Sequence, residues 1–304
     1  MVLQTRILPF GADSIAEAAR LILDGQVVAV PTETVYGLAA DATNAEAVAG
    51  IYAAKGRPSF NPLIIHVLSL DAAERIGEFG DGARRLAKRH WPGPLTVVVP
   101  RREDAAIASL ATAGLQTIGI RVPNHPAMHA LLQAVDRPLA APSANASGSI
   151  SPTRAEHVLK SLGGRIPLII DGGQTERGLE STIVAATDGL LRLLRPGPIE
   201  IDAELASGAQ IEAPGQLASH YAPSKPLRLR ATAAAQDEFL IGFGAIGGDA
   251  NLSAGGNLTE AAANLFDLLH HADASAKPRI AVAPIPNEGL GFAINDRLRR
   301  AARR

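Results

Sequence analysis

The 304-residue chain contains no cysteine. Disulfide frameworks, cysteine nucleophiles, thiolate zinc sites and iron–sulfur clusters are therefore all excluded. Aromatic residues are scarce as well, at 4% of the chain, with one Trp, three Tyr and seven Phe. Aliphatic side chains must consequently fill the core, and the single Trp and each Tyr become candidates for a specific role.

No sign of charge dominates the chain either. Lys and Arg number 29 and Asp and Glu number 30, which gives a formal net charge of -1. A near-neutral chain is a poor candidate for a protein that coats nucleic acid or an anionic membrane. No apolar run approaches the roughly 18 residues that a membrane-spanning helix needs, and no signal-peptide core follows the N-terminus. We therefore expect a soluble, cytoplasmic protein without membrane contacts.

Short aliphatic runs alternate with helical segments along the first two thirds of the chain, a pattern typical of an α/β domain. The candidate strands are 27–31, 63–67, 95–99, 117–122, 139–141, 167–170, 181–185 and 190–194. The last three follow one another without an obvious helix between them, which a purely parallel sheet would not show. We therefore predict a large, twisted, mixed sheet with helices packed on it.

The character of the sequence changes near residue 213. The segment 213–226, APGQLASHYAPSKP, contains three prolines and no hydrophobic period, which indicates a linker. Strands near 227–229, 238–241 and 279–283 and helices near 258–271 and 291–302 are predicted after it. The expected organisation is a large α/β domain over 1–212, a linker over 213–226 and a small C-terminal α/β (Rossmann-like) domain over 227–304.

Two features of the C-terminal part resemble functional signals but are discounted. The run Gly242-Phe-Gly-Ala-Ile-Gly247 matches G-x-G-x-x-G, yet no helix start follows it, as a dinucleotide site requires. Five arginines lie between Arg297 and Arg304. We interpret them as the solvated end of a helix, where the dipole favours cations, rather than as an RNA-binding tail.

Polar side chains follow the strand at 27–31 in the segment Pro31-Thr-Glu-Thr-Val-Tyr-Gly-Leu38. Open α/β sheets place their ligands at such carboxyl ends, although a turn that satisfies its own backbone is the alternative. Lys55 and Arg57 stand two residues apart in a turn restrained by Gly56 and Pro58. Such a pair can grip successive phosphoryl oxygens, while a cation at the end of a helix also has a purely structural explanation.

Arg121 ends a strand between apolar neighbours, and a guanidinium there is costly unless it meets an anion. That anion is either a ligand carboxylate or a protein carboxylate such as Glu33. Thr117 lies on the same strand face. His66 ends the run 63–65, where binding and structural roles are equally open.

A loop of small residues, 141–151, follows another strand and could let backbone N–H groups approach a phosphate, with an ordinary Ser/Asn-rich turn as the alternative. Trp91-Pro-Gly-Pro94 indicates a structural corner, and Tyr221 within the linker indicates a latch.

Taken together, the segments PTETVYGL, KGRP, NPLIIH, WPGPLT, IGIRVP, APSAN and STIV resemble the YrdC-domain family over residues 10–200, so that 1–212 would be a YrdC-like catalytic domain. The segments SHYAP and GLGFAINDRLRRAA resemble the longer, two-domain branch, the threonylcarbamoyl-AMP synthases, in which the linker would close over the active site. The resemblance implies that L-threonine, bicarbonate and ATP give L-threonylcarbamoyl-AMP and pyrophosphate. This nucleotidyltransferase reaction would be the first step of threonylcarbamoyladenosine modification of tRNA next to the anticodon, and a separate threonylcarbamoyl transferase complex would use the product.

The resemblance also implies roles for individual residues. The catalytic motif K-x-R…S-x-N of the family falls on Lys55, Arg57, Ser143 and Asn145. ATP would be bound by Arg57, Asn61, Thr117, Ser143, Ser151, Arg195 and Tyr221. L-threonine would be held by Thr34, His66, Arg121, Ala141 (through its backbone) and Ser181, with its carboxylate as the anion for Arg121. Mg²⁺ is expected on the ATP phosphates rather than in a site made by the protein.

Three alternatives stand beside this hypothesis. The same fold could serve as an RNA-binding module without adenylate-forming activity, and weak or transient contact with tRNA is open in either case. A different amino acid could be the substrate. A carbamoyl-transfer maturation factor uses a similar domain, but it carries cysteine-rich zinc segments, which the lack of cysteine excludes.

Overall fold

A computed structural model describes residues 3–187, 189–206, 212–214 and 220–303. Within these residues the helices are α1 (Ala12–Leu23), α2 (Ala45–Lys55), α3 (Leu70–Glu74), α4 (Asp81–His90), α5 (Pro126–Val135), α6 (Ala155–Leu162), α7 (Leu258–Ala274) and α8 (Leu290–Ala301), with one 3-10 helix at Ser109–Thr112. The strands are β1 (Arg6–Pro9), β2 (Val28–Pro31), β3 (Tyr36–Asp41), β4 (Ile64–His66), β5 (Leu95–Pro100), β6 (Thr117–Arg121), β7 (Leu139–Ala140), β8 (Leu168–Asp171), β9 (Thr182–Thr187), β10 (Leu190–Arg195), β11 (Glu204–Leu205), β12 (Leu227–Arg228), β13 (Glu238–Gly242), β14 (Ala250–Asn251) and β15 (Arg279–Val282).

The larger sheet of the described residues has eleven strands in the order β1-β8-β2-β3-β7-β4-β6-β5-β9-β10-β11. The sheet contains both parallel pairs, such as β2–β8 and β5–β9, and antiparallel pairs, such as β2–β3 and β9–β10. The predicted mixed sheet is therefore confirmed. β9 and β10 form a hairpin, and residues 172–181 cross from β8 to the opposite half of the sheet, which brings Glu180 and Ser181 to the position described below.

β3 is an element that the sequence pattern does not predict. Its residues, YGLAAD, include few strong strand formers, yet all of them are buried. Antiparallel pairing with β2 places Val30 opposite Gly37. Residues 32–35 are therefore a tight turn between two buried strands, which holds the polar segment 31–38 inside the sheet. β1, β11, β14, α3 and α4 are likewise not predicted.

Helix α2 shows why Lys55 and Arg57 point to different places. Asn44 caps its start by accepting hydrogen bonds from the backbone N–H groups of Glu46 and Ala47, at 2.9 and 3.2 Å, as N-cap side chains do. The helix ends at Gly56, whose φ of 60° lies in the left-handed region that glycine adopts at low cost. The chain changes direction there, so Lys55 belongs to the helix and Arg57 to the turn beyond it.

The smaller sheet has four parallel strands in the order β12-β15-β13-β14, with α7 and α8 packed on it. β14 follows the glycine-rich run 242–247, where a dinucleotide site would have a helix. One hydrophobic cluster joins Val35, Ile150 and Leu179 to residues of α7 and α8, so the smaller unit packs against the larger one. None of the described helices combines the length and apolarity required to cross a bilayer. The division at 212, 213–226 and 227 remains a prediction, since 207–211 and 215–219 lie outside the described residues.

Candidate functional site

One cleft is lined by most of the polar residues that the sequence singles out. Its walls come from the turn after β2, the ends of β4 and β6, the loop after β7, the segment before β9 and the end of β10. His220 and Tyr221 line it as well. Nine predicted residues line the cleft: Thr34, Arg57, His66, Arg121, Ala141, Ser143, Ser181, Arg195 and Tyr221.

Three guanidinium groups, those of Arg57, Arg121 and Arg195, face this cleft although each side chain is buried. Burial lowers the pKa of Arg57 to about 10, and the charge of Arg195 acts in the same direction. Burial also lowers the pKa of Arg195. Because charged groups of one sign are costly to bury together, the arrangement is electrostatically suited to an anionic ligand.

Arg57 is held by the turn that follows it. Its Nε donates to the carbonyl of Asn61 at 3.1 Å, and its Nη2 donates to the carbonyl of Pro62 at 2.8 Å. These bonds fix the guanidinium at the wall of the cleft. Asn61 takes part only through its carbonyl, since its amide group is buried without a hydrogen-bond partner among the described residues.

Lys55 and Asn145, predicted to be catalytic, lie behind the cleft rather than in its wall. The Lys55 ammonium donates to the backbone carbonyls of Ser143 and Asn145, and burial lowers its pKa well below the usual value. The Asn145 amide donates to the carbonyls of Ala146 and Ser149, both at 2.9 Å. The two side chains therefore hold the loop that presents Ser143, and the Lys55 ammonium and the Arg57 guanidinium donate to different backbone carbonyls.

Arg121 pairs with Glu33, one of the two possible anionic partners that the sequence leaves open. Its Nη2 lies 2.6 Å from Oε2 of Glu33, with both side chains at most 5% exposed. Its Nη1 donates to the Thr34 hydroxyl at 3.0 Å, and its Nε donates to the carbonyl of Gly93 at 3.2 Å. The polar turn after β2 thus orients the guanidinium.

His66 lines the cleft beside Arg121 and is buried. Burial lowers its pKa to about 3, and the charge of Arg121 adds to the effect. The imidazole is therefore neutral near pH 7. In this state it can accept a hydrogen bond from a ligand or donate one to it, without adding charge.

Arg195 and Ser181 are joined by hydrogen bonds. The Arg195 guanidinium donates to the Ser181 carbonyl through Nε and Nη2, at 3.0 and 2.9 Å, and to the Ser181 hydroxyl at 3.1 Å. The same hydroxyl shares a 2.7 Å hydrogen bond with that of Thr96. A residue predicted for ATP and a residue predicted for L-threonine are thus positioned by each other.

Thr117 and Ser151 are two further predicted ligands of ATP that do not line the cleft. Thr117 faces a neighbouring pocket, which shares Ile64 and Pro214 with the cleft. The Ser151 hydroxyl is fully buried and donates to Oε1 of Glu180. Asn61 likewise does not line the cleft.

The cleft also contains residues that sequence reasoning does not assign to it: Thr32, Val35, Gly37, Ile64, Pro142, Glu180, Pro214 and His220. Glu180 and His220 precede the predicted residues Ser181 and Tyr221, so their position along the chain was the available signal. Tyr221 itself is fully buried, with a φ of 64°, and its ring packs on His220 and Phe266 at centroid distances of 4.0 and 5.6 Å. Among the described residues, no three His, Asp or Glu side chains form a group that could hold a metal ion.

Comparisons with known proteins agree on one family. The Sua5_yciO_yrdC model, described as telomere recombination, matches residues 20–197, and the model for the C-terminal domain of threonylcarbamoyl-AMP synthase matches residues 179–303. The chain is 40% identical to threonylcarbamoyl-AMP synthase of Bacillus subtilis, over 95% of this chain and 92% of the relative. The enzyme of that name from Pyrococcus abyssi is 39% identical, over 94% and 93%. The crystal structure of P. abyssi Sua5 complexed with L-threonine superposes with a TM-score of 0.88 at 36% identity, over 99% of this chain and 98% of that one.

Proposed function

The chain belongs to the threonylcarbamoyl-AMP synthase family, and we propose that its cleft joins L-threonine, bicarbonate and ATP into L-threonylcarbamoyl-AMP, with release of pyrophosphate. The observation that carries the proposal is the convergence of Arg57, Arg121 and Arg195 on one cleft lined with hydroxyl groups. ATP, bicarbonate and the threonine carbamate are anions, and L-threonine carries a carboxylate; buried guanidinium groups are well suited to bind such groups.

The L-threonine half of the cleft is proposed to lie around Arg121, Thr34, His66 and Ser181. Arg121 would bind the threonine carboxylate while Glu33 and Thr34 keep the guanidinium oriented. Ala141 would contribute its carbonyl oxygen, because its N–H already donates to the carbonyl of Ile64 at 3.0 Å. A P. abyssi relative has been crystallised with L-threonine, which supports this choice of amino acid.

The ATP half is proposed to lie around Arg57, Ser143, Arg195 and Tyr221. In the reaction, the threonine amino group and bicarbonate form a carbamate with loss of water. A carbamate oxygen then bonds to the α-phosphorus of ATP, and pyrophosphate leaves with the electrons of the broken P–O bond. Negative charge grows on the phosphoryl oxygens, where fixed donors are the most effective catalysts. Arg57 and Arg195 would supply them.

The attacking carbamate is already anionic, so the α-phosphoryl step requires no protein base, and a neutral His66 is consistent with this chemistry. Lys55 and Asn145 are proposed to act as positioning residues, because their contacts hold the loop of Ser143 rather than face the cleft. Asn61, Thr117 and Ser151 remain predicted ATP ligands that would join the site when the cleft closes around the nucleotide.

Mg²⁺ is proposed to arrive bound to the ATP phosphates. We also propose that the product passes to a threonylcarbamoyl transferase complex that modifies tRNA, that any contact of this chain with tRNA is weak, and that the reaction takes place in the cytoplasm. Chelation of Mg²⁺ with EDTA should abolish pyrophosphate release, and excess Mg²⁺ should restore it. Full activity in EDTA would contradict the role of the ion.

An amino-acid panel tests the proposal as a whole. Pyrophosphate release from ATP should require both bicarbonate and L-threonine, and L-serine, L-valine and D-threonine should support it much less well. Equal release with every amino acid would contradict the assignment of the threonine site. If the chain were instead an RNA-binding module, it would bind bare tRNA tightly and in a salt-sensitive way without ATP and would release no pyrophosphate.

A further inference from the structure

Arg297 is a fully buried arginine in the last helix of the chain. The expectation that the arginines from 297 onward form a solvated helix end is therefore wrong for this residue. α8 packs between the smaller sheet and the larger unit, and its buried face includes Arg297 and Ile294. Arg299, two residues further on, is exposed.

The Arg297 guanidinium reaches across to the wall of the cleft. Its Nε donates to Oε2 of Glu180 at 2.8 Å, and its Nη1 donates to the carbonyl of Pro196 at 2.9 Å. Its central carbon lies 5.3 Å from the centre of the Tyr221 ring, within the range of a cation–π contact. Arg297 thus touches three segments that border the cleft.

Glu180 carries these contacts into the cleft. Its second oxygen accepts a hydrogen bond from the Ser151 hydroxyl, and its side chain lines the cleft itself. Pro196 directly follows Arg195, so the Arg297 bond to its carbonyl fixes the chain beside a proposed ATP ligand. Arg297 is close to three proposed nucleotide ligands. It contacts the Tyr221 ring directly, its partner Glu180 accepts a hydrogen bond from Ser151, and its partner Pro196 is the neighbour of Arg195.

The charges of Arg297 and Glu180 persist although both groups are buried. Burial acts to raise the pKa of Glu180, but the charges of Arg297 and Arg195 outweigh it and lower this pKa. Burial acts to lower the pKa of Arg297, but Tyr221, Glu180 and Asp296 outweigh it and raise this pKa. Buried ion pairs of this kind contribute little net stability relative to apolar packing. Their fixed geometry is what an apolar pair could not reproduce.

We propose that Arg297 is a positioning residue for ATP: from the smaller unit, it sets Glu180, Ser151 and the Tyr221 ring in the geometry that binds the nucleotide. The proposal rests on the function proposed above and adds a role for α8 in that site. It requires loss of Arg297 to impair the use of ATP far more than the use of L-threonine, since the side chains of Arg121, Thr34 and Ser181 are held by Glu33, Gly93, Thr32, Thr96 and Arg195 rather than by Arg297.

The test compares Arg297→Lys with Arg299→Lys, a matched substitution at an exposed position of the same helix. Steady-state pyrophosphate release gives KM for ATP and for L-threonine, and calorimetry gives the dissociation constant of ATP. We expect Arg297→Lys to raise both ATP constants at least tenfold, to change the L-threonine KM less than twofold, and to keep the parental fold by circular dichroism. Arg299→Lys should match the parent.

The double variant Glu180→Gln/Arg297→Met separates positioning from stability, because it removes the Arg297–Glu180 ion pair as a whole, while Asp296, which also pairs with Arg297, keeps its ion pair with Arg300. We expect it to unfold close to the parental temperature and still bind ATP at least tenfold more weakly. Parental ATP affinity in either variant, or an equal rise of both KM values that follows a loss of stability, would overturn the proposal. If the parent is active and Arg297→Lys is unaffected, the inference about Arg297 is refuted but the proposed function is not. If the parent shows no threonine-dependent pyrophosphate release, the proposed function itself is refuted.

Discussion

Replacement of Arg57 by alanine is the most informative single substitution in the cleft. The guanidinium makes two hydrogen bonds to protein, at 3.1 and 2.8 Å, and both go to backbone carbonyls of the turn 57–62. The Arg57 side chain also lines the cleft. The substitution therefore removes a donor for the reacting phosphoryl group and two restraints on the turn.

The two effects have different magnitudes. Loss of one fixed donor to developing charge lowers kcat by about 100- to 1000-fold, or about 2.7–4 kcal/mol. Each hydrogen bond from a charged donor contributes about 1.5–3 kcal/mol to stability, and relief of the burial cost of the guanidinium offsets part of this. We therefore expect Arg57→Ala to fold, with a thermal midpoint lowered by up to about 10 °C, and to lose nearly all turnover.

The assay is threonine-dependent pyrophosphate release at saturating substrates, below the unfolding temperature of the variant, with Arg85→Ala as control because Arg85 is exposed on α4. The control should keep parental kcat. An Arg57→Ala variant with kcat within threefold of the parent would refute the catalytic role of Arg57.

Three further predictions concern Tyr221, Ser181 and His270. Tyr221→Ala removes a fully buried ring from the wall of the cleft and should weaken ATP binding at least tenfold by calorimetry; unchanged affinity would exclude the latch. Ser181→Ala removes a hydroxyl bonded to Arg195 and Thr96, so KM should rise for both ATP and L-threonine by about tenfold; a rise for only one would show that the two halves are independent. Burial, and then His157, lower the pKa of His270 to about 3, below the unfolded value of about 6.5. The folded state therefore binds this proton less readily, and the stability this contributes is complete above about pH 6.5 and lost as pH falls toward 3. Urea titrations at several pH values give the free energy of unfolding. Between pH 6 and pH 4 this free energy should fall less steeply in His270→Gln than in the parent, with slopes that differ by about 1.4 kcal/mol per pH unit; equal slopes would contradict this.

The fold was predictable where local signals dominate. Consecutive aliphatic runs after residue 167 predicted the mixed sheet, because that pattern depends on residues close in sequence. β3 was not predictable, since its Gly and Ala residues are placed by burial between β2 and β7 rather than by strand propensity.

The site was predictable as a set of residues more than as a geometry. The sequence left two possible anionic partners for Arg121, Glu33 and a ligand carboxylate, because sequence alone does not show which carboxylate lies beside the guanidinium. The spacing of Lys55 and Arg57 was compatible with a joint grip on phosphoryl oxygens and, for Lys55, with a structural role; in the structure the left-handed Gly56 directs the two side chains to different backbone carbonyls. The burial of Arg297 was not predictable, since its partner Glu180 lies 117 residues away in the sequence and an arginine near the end of a helix is ordinarily solvated.

The fate of bicarbonate tests the central claim most directly. The purified chain would be incubated with ATP, L-threonine and isotopically labelled bicarbonate, and the nucleotide products would be separated and weighed by mass spectrometry while pyrophosphate is counted. We predict one labelled carbon in a threonylcarbamoyl adenylate for each pyrophosphate released. Pyrophosphate release with no label in the adenylate, or at the same rate without bicarbonate, would contradict the account.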